Sequence, residues 1–295
     1  MTILALAGAS GALGARVAAR AVDAGMTLRI LSRDPARLPR ALRRPGVAVV
    51  TGDARDHATA DELVRGADLV FSCAGASVQL GLGHGWRGYH AVDTAANLTL
   101  ATAARAAGRP RFVYVSVFHT PAMRRLAYVD AHERVVDGIR ALDLPHAIVR
   151  PTGFHSAVST YVDLARRGPL PEIGDGSART NPIADDDLAG VCVDALTAPE
   201  PALEVAAGGD EILTRHRIGE LAFAALSRAP RFRRMPPWLA RTGAALLRPL
   251  HPRIAQFAAF IAAISVTDLV APARGRARLA DAFATAAAPV VAAAG

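Results

Sequence analysis

The stretch Thr2-Ile3-Leu4-Ala5-Leu6-Ala7-Gly8-Ala9-Ser10-Gly11-Ala12-Leu13-Gly14 decides how the chain reads. Residues 2–7 form an apolar run too short for a helix and suited to a strand buried on both faces. Three glycines follow, at Gly8, Gly11 and Gly14, and residues 15–24 read as a helix stopped by Gly25. Strand, glycine turn and helix in that order make the cradle that a dinucleotide pyrophosphate occupies. Gly8 allows the tight turn, Gly11 the close approach of an anion, and Gly14 the close seating of helix on strand. Unpaired N–H groups around Ser10, Ala12 and Leu13, with the helix dipole, favour the negative charge. The spacing is GxxGxxG, which is weak on its own in a chain with 25 glycines. Its place at a strand-to-helix junction carries the reading.

The bulk properties narrow the class. A chain of 295 residues holds one large domain, or a core with a smaller companion. Cys73 and Cys192 have no metal spacing and form no disulfide framework, which points to a reducing cytoplasm and to no metal site. The uncharged first residues lack the basic start of a signal peptide and read as the first strand. The apolar run between Arg253 and Asp268 is shorter than the ~20 residues that span a bilayer. The net charge is +8, and all 34 basic residues are arginine. No recognition motif or aromatic basic platform supports a nucleic-acid partner.

Gly8-Ala9-Ser10-Gly11-Ala12-Leu13-Gly14 resembles the glycine motif of extended and atypical short-chain dehydrogenases/reductases, the NmrA-like NAD(P)H-binding branch included. Ile148-Val149-Arg150-Pro151-Thr152-Gly153-Phe154 resembles that branch more specifically. The resemblance extends over nearly the whole chain. It implies an α/β fold: a Rossmann-like doubly wound parallel sheet over 1–154, then a smaller interwoven C-terminal part over 155–295 that shapes a substrate site. It also implies a nicotinamide cofactor, with Pro151 and Gly153 passing beside it.

Further strands are expected at 27–32, 47–52, 68–74, 111–116 and 146–150. The residue after the second strand selects the cofactor: an acid there binds the ribose of NAD, an arginine the 2′-phosphate of NADP. Here it is Arg33, so NADP(H) is expected, with NAD(H) as the alternative. Gly52-Asp53 ends the third strand. In the resembling family such an acid lies near the adenine, although Asp53 or Asp56 equally suits a helix N-cap. Ala74 and Gly75 end the fourth strand, where small residues let a cofactor pass. The glycine-rich loop 76–88 reads either as a lid or as a plain surface turn. Asp93 and Asn97, on the helix expected over 89–107, read as structural.

Ser116 ends the fifth strand, at the carboxyl edge where open α/β sheets bind ligands. Tyr128 follows at the start of a helix. In the resembling family a serine here holds the substrate carbonyl, and a Tyr-x-x-x-Lys supplies the proton and lowers the tyrosine pKa. Here the sequence is Tyr128-Val129-Asp130-Ala131-His132, and the chain contains no lysine. A neutral histidine can hydrogen-bond a ribose but carries no fixed charge. Ser116, Tyr128 and His132 are therefore the catalytic candidates. An NADP(H)-dependent oxidoreductase acting on a lipophilic carbonyl, enone or quinone stands against a cofactor-binding redox sensor or assembly protein without turnover.

Beyond residue 154 a helix is expected over 156–167, a turn over 172–176, a helix opened by Asp185-Asp186-Asp187, and a strand over 203–206. Thr214 is expected to cap a further helix. Residues 231–253 contain six arginines and no acid, interleaved with Trp238, Leu239, Leu246, Leu247 and Leu250, before an apolar helical run over 254–266. Residues 231–266 therefore suit a peripheral contact with an anionic membrane, a substrate lid or a subunit contact. The alanine-rich tail from Asp281 is expected to fray.

Overall fold

The computed structural model describes residues 2–43, 46–75 and 87–288. Most of the loop expected as a lid, 76–86, and the last part of the tail lie outside them. Strands β1 (Ile3–Ala7), β2 (Thr27–Ser32), β3 (Val47–Thr51), β4 (Leu69–Ser72), β5 (Arg111–Val115) and β6 (His146–Pro151) form a parallel sheet. β7 (Leu170–Ile173) and β8 (Arg179–Thr180) leave it, and β9 (Ala202–Ala207) rejoins it beside β6. β10 (Leu213–Thr214) and β11 (Phe232–Met235) pair with β8 and β7 outside it. The seven-strand order is β3-β2-β1-β4-β5-β6-β9. The order reverses between β1 and β4, which places the ligand crevice at their carboxyl ends.

The helices are α1 (Ala12–Asp23), α2 (His57–Val64), α3 (Ala95–Ala106), α4 (Ala127–Ala141), α5 (His155–Val158), α6 (Thr160–Arg167), α7 (Asp185–Thr197), α8 (Arg215–Ala225), α9 (Pro237–Leu247), α10 (Pro252–Ile264) and α11 (Leu279–Ala287). A π-helical turn, His90–Thr94, leads into α3. Successive side chains of a strand point to opposite faces, and β1 uses both. Leu4 and Leu6 pack under α1 and α7 with Val17, Ile30, Leu188 and Cys192. Ala5 and Ala7 pack under α2, α3 and α4 with Leu63, Leu100, Phe112 and Val135. Burial on both faces is why these strands read as continuous apolar runs rather than alternating ones.

The chain beyond residue 154 is threaded through this core as well as beside it. α7 covers one sheet face, and β9 forms the sheet edge. The aspartates that open α7 do more than favour a helix start. Asp185 accepts from the Ser156 N–H and hydroxyl, Asp186 pairs with Arg20 on α1, and Asp187 accepts from the N–H groups of Arg276 and Ala277. Buried Asn181 donates to the carbonyls of Gly209 and Ala271 and accepts from the Ala271 N–H. Thr214 caps α8 as its sequence suggests, accepting from the Arg217 N–H at 3.0 Å.

Four local expectations are corrected. α1 starts at Ala12, directly after Gly11, rather than at Ala15. The helix expected over 156–167 is two helices that meet at Ser159. Glu172 and Ile173 belong to β7, and the turn follows at Gly174 and Gly176, both with positive φ. The tail does not fray from Asp281: Leu279 and Phe283, four apart on α11, bury against Ile218, Ala222 and Phe223 of α8.

Candidate functional site

The three glycines of the first turn do separate jobs. Gly8 has φ +106°, and a Cβ there would stand 2.7 Å from Cys73 Sγ. A Cβ on Gly14 would stand 2.2 Å from the Gly8 carbonyl oxygen, so α1 sits on the turn with no room for a side chain. A Cβ on Gly11 would meet only that oxygen, at 3.4 Å, and would otherwise fill open space. Ser10, Gly11 and Ala12 are exposed, whereas Leu13 and Gly14 are buried. Gly11 is the N-cap of α1, with no side chain capping the helix and no acid in its first turn. An open, glycine-lined helix N-terminus suits a pyrophosphate. In this arrangement Leu13 can offer only backbone, because its side chain lies in the core.

At the end of β2, Arg33 and Arg37 are exposed. Asp34 turns back to accept the Ala36 N–H. Gly52 donates to the Ser32 carbonyl, which brings the ends of β2 and β3 together. Asp53 is chelated by the Arg55 guanidinium at 2.6 and 3.0 Å. That hydrogen bonding, with the Arg33 charge adding to it, holds Asp53 down at about 2. The helix-capping role falls to Asp56, which accepts from the Thr59 N–H. At the end of β4, buried Asn97 acts as a clamp. It accepts from Ser72 Oγ and donates to the Ala74 and Asp93 carbonyls, which fixes the backbone at Ala74 and Gly75.

Tyr128 and His132 stand ring to ring on α4, 4.9 Å apart, whereas Ser116, just beyond β5, turns its hydroxyl to Glu133 of the same helix and to Arg150. Tyr114 on β5 and Ser116 one residue past its end both reach α4. The Tyr114 hydroxyl and His132 Nδ1 are hydrogen-bonded at 2.7 Å. Burial pushes His132 down to about 4, so it is neutral at physiological pH. Tyr128 stands edge-on to Tyr89 and His132 and packs on Phe260. Burial, reinforced by Tyr89 and Asp93, drives its hydroxyl pKa far above the ordinary value, and no neighbouring cation among the described residues opposes the shift. Ser116 Oγ donates to Glu133 at 3.2 Å and accepts from Arg150 at 3.4 Å. Pro151 is buried at the end of β6, and the Gly153 carbonyl accepts from the Ile183 N–H.

Sequence reasoning missed the group that holds this site together. Glu133 is buried and takes both nitrogens of the Arg150 fork, Nη2 at 3.1 Å. His119 Nε2 lies 3.4 Å from it and Arg124 Nη1 3.5 Å. Burial alone would raise the Glu133 pKa; hydrogen bonds from His119 and Arg150 bring it to about 2. The same contact raises His119. One signal was available: Glu133 lies between Val129 and Val136 on a helix, at a position spaced for the core. Its partner Arg150 lies on another element, where helical spacing cannot find it.

The reversed strand order, the open glycine turn and the reactive groups at the sheet's carboxyl edge define a dinucleotide-binding Rossmann protein. The chain matches a family described as NAD(P)H-binding over residues 8–199. It belongs to that NAD(P)H-binding family. It is 29% identical over 252 residues to a (4-alkanoyl-5-oxo-2,5-dihydrofuran-3-yl)methyl phosphate reductase from Streptomyces griseus, covering 84% of this chain and 82% of that one. It is 30% identical over 198 residues to a chloroplastic divinyl chlorophyllide a 8-vinyl-reductase from Zea mays. That match covers 64% of this chain but only 48% of the maize protein, so the chain spans about half of it. An NADPH-dependent quinone oxidoreductase from Escherichia coli, solved with NADPH, superposes with TM-score 0.71 over 96% of this chain and 99% of that one, at 17% identity. A nucleoside-diphosphate-sugar epimerase from Staphylococcus aureus superposes with TM-score 0.72 over 97% and 95%, at 15% identity. At such identities the shared property is the fold.

Proposed function

We propose that the protein is an NADP(H)-dependent reductase of a lipophilic enone, carbonyl or quinone. The observation that carries the reading is the open glycine cradle on β1 with Arg33, rather than an acid, just beyond β2. The cradle would hold the pyrophosphate. Arg33, with its fixed charge and fork of donors, would take a 2′-phosphate. Bound NADPH supplies a hydride. The aromatic wall of Tyr128, Phe257 and Phe260 excludes water and suits an apolar substrate. The substrate that names the Streptomyces griseus relative carries a ring alkene conjugated to a ring carbonyl, and the one that names the maize relative a vinyl group. Both are carbon–carbon double bonds, and the first favours the enone within this class.

Ser116 and the Tyr128 hydroxyl would hold the substrate oxygen, and Tyr128 would hand over the proton. His132, neutral and bonded to Tyr114, does not stabilise a tyrosinate. Tyr128 therefore keeps its proton at working pH and acts as donor rather than base, which favours reduction over oxidation. The test follows NADPH consumption against a panel of enones, quinones and aldehydes, with calorimetric titration of NADPH and of NADH. Tyr128→Phe is expected to lose roughly 100-fold in kcat with NADPH affinity unchanged. Arg33→Ala is expected to erase the preference for NADPH over NADH. Full turnover in Tyr128→Phe would refute the proton role, and an unchanged preference in Arg33→Ala would refute the cofactor assignment.

His132 at the lysine position supports a second reading, a cofactor-binding sensor without turnover. Tight NADPH binding with no consumption across the whole panel would select it.

A further inference from the structure

Among the described residues nine large apolar side chains are exposed, and five of them fall between 238 and 250: Trp238, Leu239, Leu246, Leu247 and Leu250. Trp238 is 64% and Leu246 71% exposed, far beyond what an isolated surface leucine needs to explain it. Trp238, Leu239, Thr242 and Leu246 sit at i, i+1, i+4 and i+8 of α9 and share its outward face, whereas Ala244 is the buried residue of that helix. An ordinary surface helix turns its apolar stripe inward; α9 turns it out.

The charge around this stripe has one sign. From Leu221 to Thr267 there is no aspartate or glutamate, and there are seven arginines. Three are used internally: Arg228 donates to the Ala165 and Arg166 carbonyls, Arg234 pairs with Glu172, and Arg253 lies over the Tyr89 ring. Arg231, Arg233, Arg241 and Arg248 are exposed, with no ion pair among the described residues. Arg241 and Arg248, seven apart, flank one side of the stripe. α9 is one leg of a hairpin. The other leg, α10, packs inward through Phe257 and Phe260 onto Tyr128.

We infer that α9 and the turn after it lie in the interface of an anionic lipid bilayer, with Trp238, Leu239, Leu246 and Leu250 among the acyl chains and Arg231, Arg233, Arg241 and Arg248 against the headgroups. The chemistry selects this occupant. Tryptophan and leucine with flanking arginines fit the headgroup–acyl boundary, and the lack of acids removes repulsion from anionic lipid. At 11 residues α9 is about 16 Å long, which suits lying in the plane rather than crossing it. Among the described residues, no helix is long and apolar enough to cross a membrane. The inference goes beyond the reductase reading and does not depend on it.

The test is sedimentation of the full chain with vesicles of phosphatidylcholine alone, or mixed with phosphatidylglycerol, at low and high salt. Binding is expected only to the mixed vesicles and is expected to weaken as salt rises. In a Trp86→Phe background, Trp238 emission is expected to shift to the blue on binding. Leu246→Asp combined with Leu250→Asp is expected to weaken binding by at least ~10-fold while the circular dichroism is unchanged. Arg241→Glu with Arg248→Glu should act in the same direction. Absence of binding to the mixed vesicles, or binding untouched by both double variants, would overturn the inference. So would a concentration-dependent blue shift of Trp238 without lipid, which would assign the stripe to a second copy of the chain.

Discussion

Gly11 and Gly14 are three apart and look equivalent in the sequence, but they are expected to fail differently. A methyl on Gly14 would run into the Gly8 carbonyl at 2.2 Å, and the atoms it meets, of Gly8 and Ala9, are all backbone. Gly14→Ala should therefore cost about 1–3 kcal/mol of stability, read as a lower urea midpoint. A methyl on Gly11 meets one atom, at ordinary contact distance, on a backbone at φ −86° that alanine accepts. Gly11→Ala should keep the urea midpoint and lose about tenfold or more in NADPH affinity by calorimetry, because the methyl enters the cradle. Equal loss of stability in both variants would mean that the space above Gly11 is not open, and unchanged NADPH affinity in Gly11→Ala would mean that it has no role in binding. The pattern of three glycines showed that a cradle exists. It could not show which glycine is packed and which faces outward, because that depends on how α1 seats on β1.

At the scale of elements, α4 places a neutral histidine and a buried carboxylate in consecutive positions. Both are held below their ordinary pKa, His132 at about 4 and Glu133 at about 2. In each case the unfolded chain binds the proton more readily, so stability is present at higher pH and lost on acidification. His132 loses its share as the pH falls from 6.5 towards 4, and Glu133 loses its share, on the order of 3 kcal/mol, from 4.5 towards 2. His119, raised by Glu133, has the opposite sign: its share is full below 6.5 and lost as the pH rises through its folded value. Thermal melts between pH 7 and 5 should therefore fall less steeply in His132→Gln than in the parent, and more steeply in His119→Gln. Identical slopes would mean that neither ring titrates on unfolding. The place of α4 after β5 was legible from Tyr128, read at the start of a helix beyond Ser116. Its pairing with Arg150 was not, since the two residues meet only after β6 docks beside β5.

For the whole molecule, the sheet strands were legible because a parallel sheet covered on both faces leaves unbroken apolar runs. The return of the chain was less so. A strand over 203–206 was foreseen, but nothing local to it says that β9 closes the sheet beside β6. β11 escaped notice because two arginines separate Phe232 from Met235. The return makes the first 154 residues dependent on the rest: without α7, one face of β5 and β6 around Val113, Ala147 and Val149 loses its cover. A chain truncated after Phe154 is expected to bind a hydrophobic dye and to lack a cooperative thermal transition. A sharp transition there would show that the core stands alone.

The contact between Gly8 and Cys73 has a practical use. The thiol lies against the glycine turn, and its pKa is pushed up to about 12 by burial. Cys73 is half-buried there, and at pH 8 only about one part in ten thousand is thiolate, so alkylation should be slow in the free protein. The rate at which an alkylating reagent consumes Cys73 thus becomes a reporter placed at the nucleotide turn. Any nucleotide that fills the cradle beside it should change that rate, which gives a binding assay independent of catalysis.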